Sequence, residues 1–410
     1  MSAHAPEKPT DIDVPADSIW AKLPMIGGVV AVVGLGAVLG SAMGGSKDRA
    51  MFAYLFGFEF WLSIALGALG WVLVDHTVRA AWSVSVKRIS ETKMATLPVF
   101  ALLAIPIFTI GMHSLYPWTH ETDAVLERKR WFLSEPFFYG RAVIYLLIWS
   151  GLSYTFYSWS TKRDSMTDDA AKAAITRKMW GLAAPGILVW ALTMSFAAID
   201  WVMSLQPHWY STIFGVYFFA GAFLASFSLT ALVAMGLQNS GALKKAVTTE
   251  HYHDLGKFMF GFTVFWAYIA FSQFMLIWYA NIPEETEFYI VRLQGGWQYI
   301  SYALPVLHFA VPFFYLLSRH IKRSRMALAA GAIWMLVMHA VDLYWIILPN
   351  FGTHGPGGHE GHLAVSWLDF AALIGMGGAF FAAYGMMLKK NKVIAINDPR
   401  LPESLVHENY

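Results

Sequence analysis

A histidine and a carboxylate three residues apart lie inside an apolar stretch of this chain. His339 and Asp342 fall in the segment 326–348, and a spacing of three places both side chains on one face of a helix. Histidine titrates near neutral pH, so an imidazole beside a carboxylate can relay a proton. Another histidine, His308, lies in the preceding apolar segment and would face the pair if the two segments pack as a hairpin. These three residues predict a proton relay.

Five further ionisable residues extend this hypothesis toward both ends of the apolar segments. A charge inside a bilayer costs at least about 3 kcal/mol at the midplane, so each such residue is a functional hypothesis. Asp254 and Lys257 begin one segment, Asp200 and Asp369 lie near the opposite ends of theirs, and Glu59 has no polar neighbour in sequence. Together they predict a chain of titratable groups across the membrane. The alternative stays open that each is a hydrogen-bonded or interfacial side chain, with Lys257 extending to the surface.

Two metal chemistries also need weighing. His308 and His339, on facing helices, form a pair that could ligate a b-type haem. In a later loop, His354, His359 and His362 are weak metal candidates, because their spacing is loose and the surrounding glycines leave the loop unconstrained. No resident metal is therefore predicted. Motifs for hydrolysis are absent from the sequence, and no catalytic residue is predicted.

The composition indicates a membrane protein. Of the 410 residues, 57% are hydrophobic and only 14% are charged, whereas soluble domains average about a quarter charged. A helix needs about 20 mostly apolar residues to cross a bilayer. The sequence predicts an all-α integral membrane protein with ten such spans, numbered in chain order: 24–43, 52–74, 95–116, 137–160, 181–204, 211–236, 257–280, 298–318, 326–348 and 364–388.

The distribution of positive charge predicts the orientation. Ten spans place both ends of the chain on one side. Of the 29 lysines and arginines, six lie in the loops of the other side and Arg141 lies inside span four, which leaves 22 on the side of the termini. Positive charge marks the cytoplasmic face. We therefore expect cytoplasmic tails at 1–23 and 389–410 around a membrane domain at 24–388.

The chain contains no cysteine. This excludes disulfides, iron–sulfur clusters held by cysteine and thioether-attached c-type haem within the chain. Any such electron carrier belongs to another subunit. The formal net charge of +2 does not favour a polyanionic partner such as nucleic acid.

Two stretches resemble a known family. They are SFAAIDWVMSLQPHWYSTIFGVYFFAGAF, which contains Asp200, and HDLGKFMFGFTVFWAYIAFSQFMLIWYANIPEETEFY, which contains Asp254 and Lys257. Both resemble the NrfD-like (polysulfide reductase membrane subunit) family. The likeness is greatest to the second NrfD-like subunit of alternative complex III, a bacterial quinol:electron-acceptor oxidoreductase, and it extends over nearly the whole chain.

The resemblance implies a fold, a location and partners. The fold would be two four-helix bundles, spans two to five and six to nine, flanked by spans one and ten, in the bacterial cytoplasmic membrane. The partners would be a homologous NrfD-like membrane subunit, an extracytoplasmic iron–sulfur protein, c-type cytochrome subunits and small membrane subunits. Quinone, such as menaquinone, would bind nearby. The family's quinol site is assigned mainly to the sister subunit, and no residue set here maps onto it.

Two other functions remain open. A secondary transporter would suit ten spans with buried charges, and transporter sites lie at interrupted helices near the midplane. Intramembrane prolines are few, but Pro305 and Pro312 flank His308 and could interrupt span eight. A purely structural membrane anchor with incidental polar residues is the second alternative.

Overall fold

The computed structural model describes residues 9–352 and 362–409, and these residues form helices with no β-strand. Short helices and turns connect longer ones. We number the long helices in chain order: α1 Ile19–Met43, α2 Lys47–Val78, α3 Val84–Thr109, α4 Glu135–Asp164, α5 Asp169–Trp201, α6 Phe214–Asn239, α7 Thr249–Ala280, α8 Trp297–Leu317, α9 Arg325–Ile347 and α10 Trp367–Lys390. The shorter α-helices are Met112–Leu115, Ala124–Lys129, Pro283–Val291, Arg319–Arg323 and Leu401–Leu405.

Within the described ranges, nine helices are long and apolar enough to cross a membrane. They are all the numbered helices except α4, whose 30 residues include many tyrosines, serines and charged groups. The prediction of an all-helical protein with many membrane-length apolar helices is confirmed. The sheer number of such helices makes this a multi-pass membrane protein.

Helix α2 forms the centre of the molecule and is buried along nearly its whole length. Glycines allow its neighbours to approach its backbone. A Cβ added at Gly57 would lie 2.8 Å from the Ala372 carbonyl on α10, and one at Gly67 would overlap the Ala222 carbonyl on α6. Close backbone approach through small residues is how helices pack tightly in lipid. The polar residues of α2 therefore face other helices and not the bilayer.

The first part of α3 differs from the sequence prediction. The third span was expected to begin at residue 95, with the preceding charged residues in a cytoplasmic loop. Instead Val84–Met94 is helical and every residue in it is buried. Three of the cations assigned to the loop, Lys87, Arg88 and Lys93, are therefore inside the protein. Hydropathy did not detect this segment because it scores each charge alone, whereas here most charges have a partner from another part of the chain.

The two tails meet at one end of the helices, which we call the terminal side. The backbone N–H of Val393 donates to the Ile12 carbonyl at 2.8 Å. Further along, the Asp398 carboxylate lies 2.8 Å from the Lys87 ammonium and 2.7 Å from the Arg163 guanidinium. Burial disfavours the charged carboxylate, but these two cations outweigh burial and hold the pKa of Asp398 well below its usual value. The C-terminal segment is thus held on the helices by ion pairs.

Replacing Asp398 should detach this segment. We expect Asp398→Asn to lower the free energy of unfolding by about 3 kcal/mol or more, because it leaves Lys87 and Arg163 as buried cations without their shared carboxylate. Thermal unfolding in detergent measures this, with Glu403→Gln, an exposed acid on the same segment, as the control.

The pH dependence of that loss has a definite sign. The folded pKa of Asp398 is depressed, so its stabilisation is complete above the unfolded pKa of about 4 and declines as pH falls toward the folded pKa. The difference in free energy of unfolding between wild type and Asp398→Asn should therefore decrease below about pH 4. A difference that grows on acidification would contradict the assignment.

Candidate functional site

The predicted relay pair lies inside the protein on α9. His339 Nε2 is 2.9 Å from the Ser63 hydroxyl of α2. The Asp342 carboxylate accepts hydrogen bonds from the Tyr217 hydroxyl and from the Trp266 indole N–H, the latter at 3.2 Å. All five side chains are buried. The structure therefore places both members of the pair in a polar region between α2, α6, α7 and α9.

His308 joins this region through Trp266. The two rings stack with their centroids 3.9 Å apart and 24° between their planes. Neither ring nitrogen of His308 has a hydrogen-bond partner within the described part of the chain. The residue lies on a π-helical turn, Pro305–Ala310, and such turns are frequent at functional sites. Because Trp266 also donates to Asp342, the indole connects His308 to the relay pair.

Lys93 is a member of the site that the sequence analysis did not single out. Its ammonium lies 2.7 Å from the Ser226 carbonyl, 2.8 Å from the Ser226 hydroxyl and 2.7 Å from the Thr230 hydroxyl. No carboxylate of the described residues pairs with it. Three acceptors satisfy an ammonium, and the Ser226 hydroxyl can donate to a neutral amine, whereas the Thr230 hydroxyl donates to the Ser226 carbonyl. The site can thus hold Lys93 with or without its proton. In the sequence, the only sign of this residue is its position two residues before a predicted span.

Lys93 and His339 are connected through the contact between α2 and α6. Ser226 packs against Gly67 of α2, and Ser63 lies one helical turn from Gly67, a rise of about 5 to 6 Å. These polar side chains follow one another across the middle of the protein, and we call them the central row. Hydrogen bonds join neighbours within it, but none of those described links Ser226 to Ser63 or His339 to Asp342. Its members are Lys93, Ser226, Thr230, Ser63, His339, Asp342 and Tyr217.

Beyond Tyr217 the row reaches a cavity of about 620 Å³ between α7 and α8. Tyr217 and Trp266 form part of its wall, and Gln273 lines it nearer the side opposite the termini. Gln273 accepts a hydrogen bond of 2.8 Å from the Ser211 hydroxyl, which is half-buried at that end of α6. The cavity, whose lining is mostly apolar, extends from Tyr217 toward that end of α7.

On the terminal side of Lys93 lies a group of buried charges that we call the inner cluster. Arg88 pairs with Glu91 at 2.8 Å and with Asp164 at 2.7 Å, and Lys87 also lies 3.3 Å from Asp75. One oxygen of Glu91 has no partner in the described structure. The cluster combines charges from α2, α3, α4 and the C-terminal segment: Asp75, Lys87, Arg88, Glu91, Arg163, Asp164 and Asp398.

Two of the predicted residues are held in closed ion pairs away from the row. Both oxygens of the Asp200 carboxylate accept hydrogen bonds of 2.8 Å from the Arg141 guanidinium. The Tyr145 hydroxyl donates a further hydrogen bond of 2.9 Å to the same carboxylate. The Asp369 carboxylate accepts two hydrogen bonds from the Arg49 guanidinium, at 2.7 and 2.5 Å, and also caps the start of α10. In each carboxylate both oxygens are hydrogen-bonded to an arginine, which is the arrangement expected of structural ion pairs at helix ends.

Three other predicted residues lie elsewhere. Asp254 pairs with Lys257 and with His407 of the C-terminal segment at the terminal end of α7. Glu59 is buried on α2, one turn from Ser63, with a carboxylate oxygen that has no partner among the residues described. Glu59 thus lies one turn from the central row, whereas the buried Asp254 and the half-exposed Lys257 lie at the terminal end of α7.

Of the weak metal candidates, His354 and His359 lie outside the described residues. His362 is described and is exposed. Over residues 9–352 and 362–409, no group of three or more histidines, cysteines or carboxylates is arranged to hold a metal ion.

No model of a known protein family matches the chain, and no curated protein matches it significantly.

Lys93 has no carboxylate partner among the described residues whereas Arg88 has two, and the free energies of unfolding of two variants test this difference. We expect Lys93→Met to change the free energy of unfolding by less than about 1 kcal/mol, because it removes a buried cation without leaving an unpaired carboxylate. Arg88→Met is the matched control on the same helix. It should lose about 3 kcal/mol or more, because Glu91 and Asp164 are left buried without their cation. Equal losses in the two variants would show that Lys93 also has a buried counter-ion.

The pair Arg141–Asp200 should behave as a structural unit. Arg141→Met leaves a buried carboxylate and should cost about 3 to 5 kcal/mol in thermal unfolding. The double variant Arg141→Met with Asp200→Leu removes both charges and should recover most of that loss. If the double variant is less stable than the single one, the pair itself is strongly stabilising.

Proposed function

We propose that this chain is an integral membrane subunit of a quinol-oxidising respiratory or photosynthetic electron-transfer complex of the alternative complex III type, equivalent to its ActF subunit, and that it carries a proton pathway. The observation that carries the proposal is the central row. Its titratable members Lys93, His339 and Asp342 lie within the membrane-length helices, and each is hydrogen-bonded to a hydroxyl group. An anchor has no need of such groups, because each is costly in a bilayer.

The proposed architecture is ten spans in two four-helix bundles, α2–α5 and α6–α9, flanked by α1 and α10. In addition to the nine apolar helices of the described ranges, α4 would also span the membrane, since its 30 residues exceed the length needed to cross a bilayer. Its low hydropathy is compatible with this position because Arg141 is paired with Asp200 inside the protein. Both tails would lie in the cytoplasm of a bacterium, on the terminal side.

In this proposal protons enter from the terminal side through the inner cluster. Lys93 accepts a proton and donates it toward Ser226, and water bridges the single turn between Ser226 and Ser63. His339 then passes the proton to Asp342 along one helix face, and Tyr217 leads to the cavity and the opposite surface. The unpartnered oxygens of Glu91 and Glu59 are further positions at which a proton can reside.

Electron transfer would take place in partner subunits. The chain has no cysteine, so the iron–sulfur clusters and c-type haem of such a complex must belong to an extracytoplasmic iron–sulfur protein and to cytochrome subunits. Quinol oxidation is assigned to the homologous NrfD-like sister subunit, and small membrane subunits complete the assembly. The role of this chain is then to scaffold the complex and to couple proton movement to it.

A secondary transporter is the second candidate. It is favoured by the π-helical turn of α8, which interrupts that helix beside the 620 Å³ cavity, because transporter sites use interrupted helices. Purification from native membranes in mild detergent separates the two functions. Co-purification of c-type haem and iron–sulfur proteins supports the complex, whereas a lone chain that moves a solute across vesicles supports the transporter.

The proton pathway itself is tested in vesicles containing the assembled complex. We expect Asp342→Asn and Lys93→Met each to reduce proton release to that of quinol oxidation alone, because an amide or a thioether cannot carry the proton. The control is Asp48→Asn, an exposed acid far from the row. The measurement is the ratio of protons released to electrons transferred. If both variants keep the wild-type ratio, the row does not conduct protons.

A further inference from the structure

A second cavity, of about 830 Å³, opens on the outside of the helices at their terminal side. It lies between α6, α7 and the C-terminal segment. Its walls are half-buried aromatic rings that pack on one another. Phe219 lies 5.9 Å from both Phe262 and Phe265, and Trp82 stacks on Phe258 at 5.6 Å between ring centroids. We call this cavity the aromatic groove.

The length of the aromatic groove matches one leaflet of a bilayer. Its α7 residues run from Asp254 to Phe265 along one helix face. Eleven residues of α-helix rise about 16 Å, and half of a hydrocarbon core of about 30 Å is about 15 Å. The groove therefore begins at head-group depth on the terminal side and ends near the midplane.

Charged groups surround only the mouth of the groove. The Lys257 side chain is 48% exposed there and donates to the Asn409 side chain at 2.7 Å. Arg319 donates to the Asn409 backbone carbonyl at 3.3 Å, and His407 lies beside Asp254. A lysine, an arginine and one carboxylate thus meet at the head-group level, with Lys257 paired to Asp254, while the remaining length of the groove is apolar.

We propose that the aromatic groove binds one phospholipid of the leaflet on the terminal side. An acyl chain would lie along Phe258, Phe262 and Phe265, and the phosphate would accept hydrogen bonds from Lys257. Cations at the mouth favour an anionic phosphate over the uncharged head of a quinone. A long groove ending near the midplane favours an acyl chain over a free phosphate ion. The bound lipid would connect α7 to the C-terminal segment through Lys257 and Asn409.

Gly261 offers a specific way to fill the groove. It lines the cavity on α7, and a Cβ added there meets no atom within 4 Å. Gly151 on α4 is a matched control, because it is also exposed on a helix and has the same open space around an added Cβ. The Cβ of either substitution, Gly261→Phe or Gly151→Phe, is therefore free of contact with neighbouring atoms, and the thermal unfolding of both variants checks that their folds are intact.

The test is native mass spectrometry of the purified protein after exposure to dioleoylphosphatidylethanolamine or dioleoylphosphatidylglycerol. Wild type and Gly151→Phe should each retain one phospholipid more than Gly261→Phe, and Lys257→Gln should lose that lipid at a lower detergent concentration. Equal retention by all variants overturns the proposal. So does retention of a fatty acid or a quinone in its place. The proposal does not depend on the proposed function, because the measurement involves neither electron nor proton flow.

Discussion

The ion pairs around Lys87 are the interaction on which the terminal side of the structure depends. Lys87 lies between Asp75 of α2 and Asp398 of the C-terminal segment. Because a buried lysine or carboxylate is costly without a polar partner, these three residues stabilise one another's burial. This interaction draws the first three turns of α3 into the interior and brings the C-terminal segment over the helix ends. The positions of α2, α3 and the tail are therefore interdependent.

Lys93 shows a different solution to the same constraint. It lies two turns deeper than Lys87 and its partners are a carbonyl and two hydroxyls instead of a carboxylate. An ion pair would fix the proton on the lysine, since an opposite charge stabilises the charged form. Hydroxyl partners stabilise either form, because they can donate or accept. The inner cluster thus holds charge in place, while the central row is built from groups able to gain or lose a proton.

The sequence anticipated part of the site. The spacing of His339 and Asp342 correctly indicated a shared helix face, and their burial follows from the apolar segment around them. Lys93 and Lys87 escaped detection because Ser226 and Asp398, which contact them, are more than 100 residues distant in the chain. Asp200 was also a sequence candidate for the proton route, and in the structure both oxygens of its carboxylate accept hydrogen bonds from Arg141, which lies in a different predicted span.

The sequence by itself determined that this is an all-helical membrane protein, because length and hydropathy of each helix are local properties. It also located some of the titratable residues inside those helices, such as His339 and Asp342, but not Lys93. Only the tertiary structure decided the roles that these residues can have. Whether a buried carboxylate is neutralised, as Asp200 is, or bonded to neutral groups, as Asp342 is, depends on side chains from other helices. Electrostatic interactions act through space over a few ångströms, so the order of residues along the chain cannot specify them.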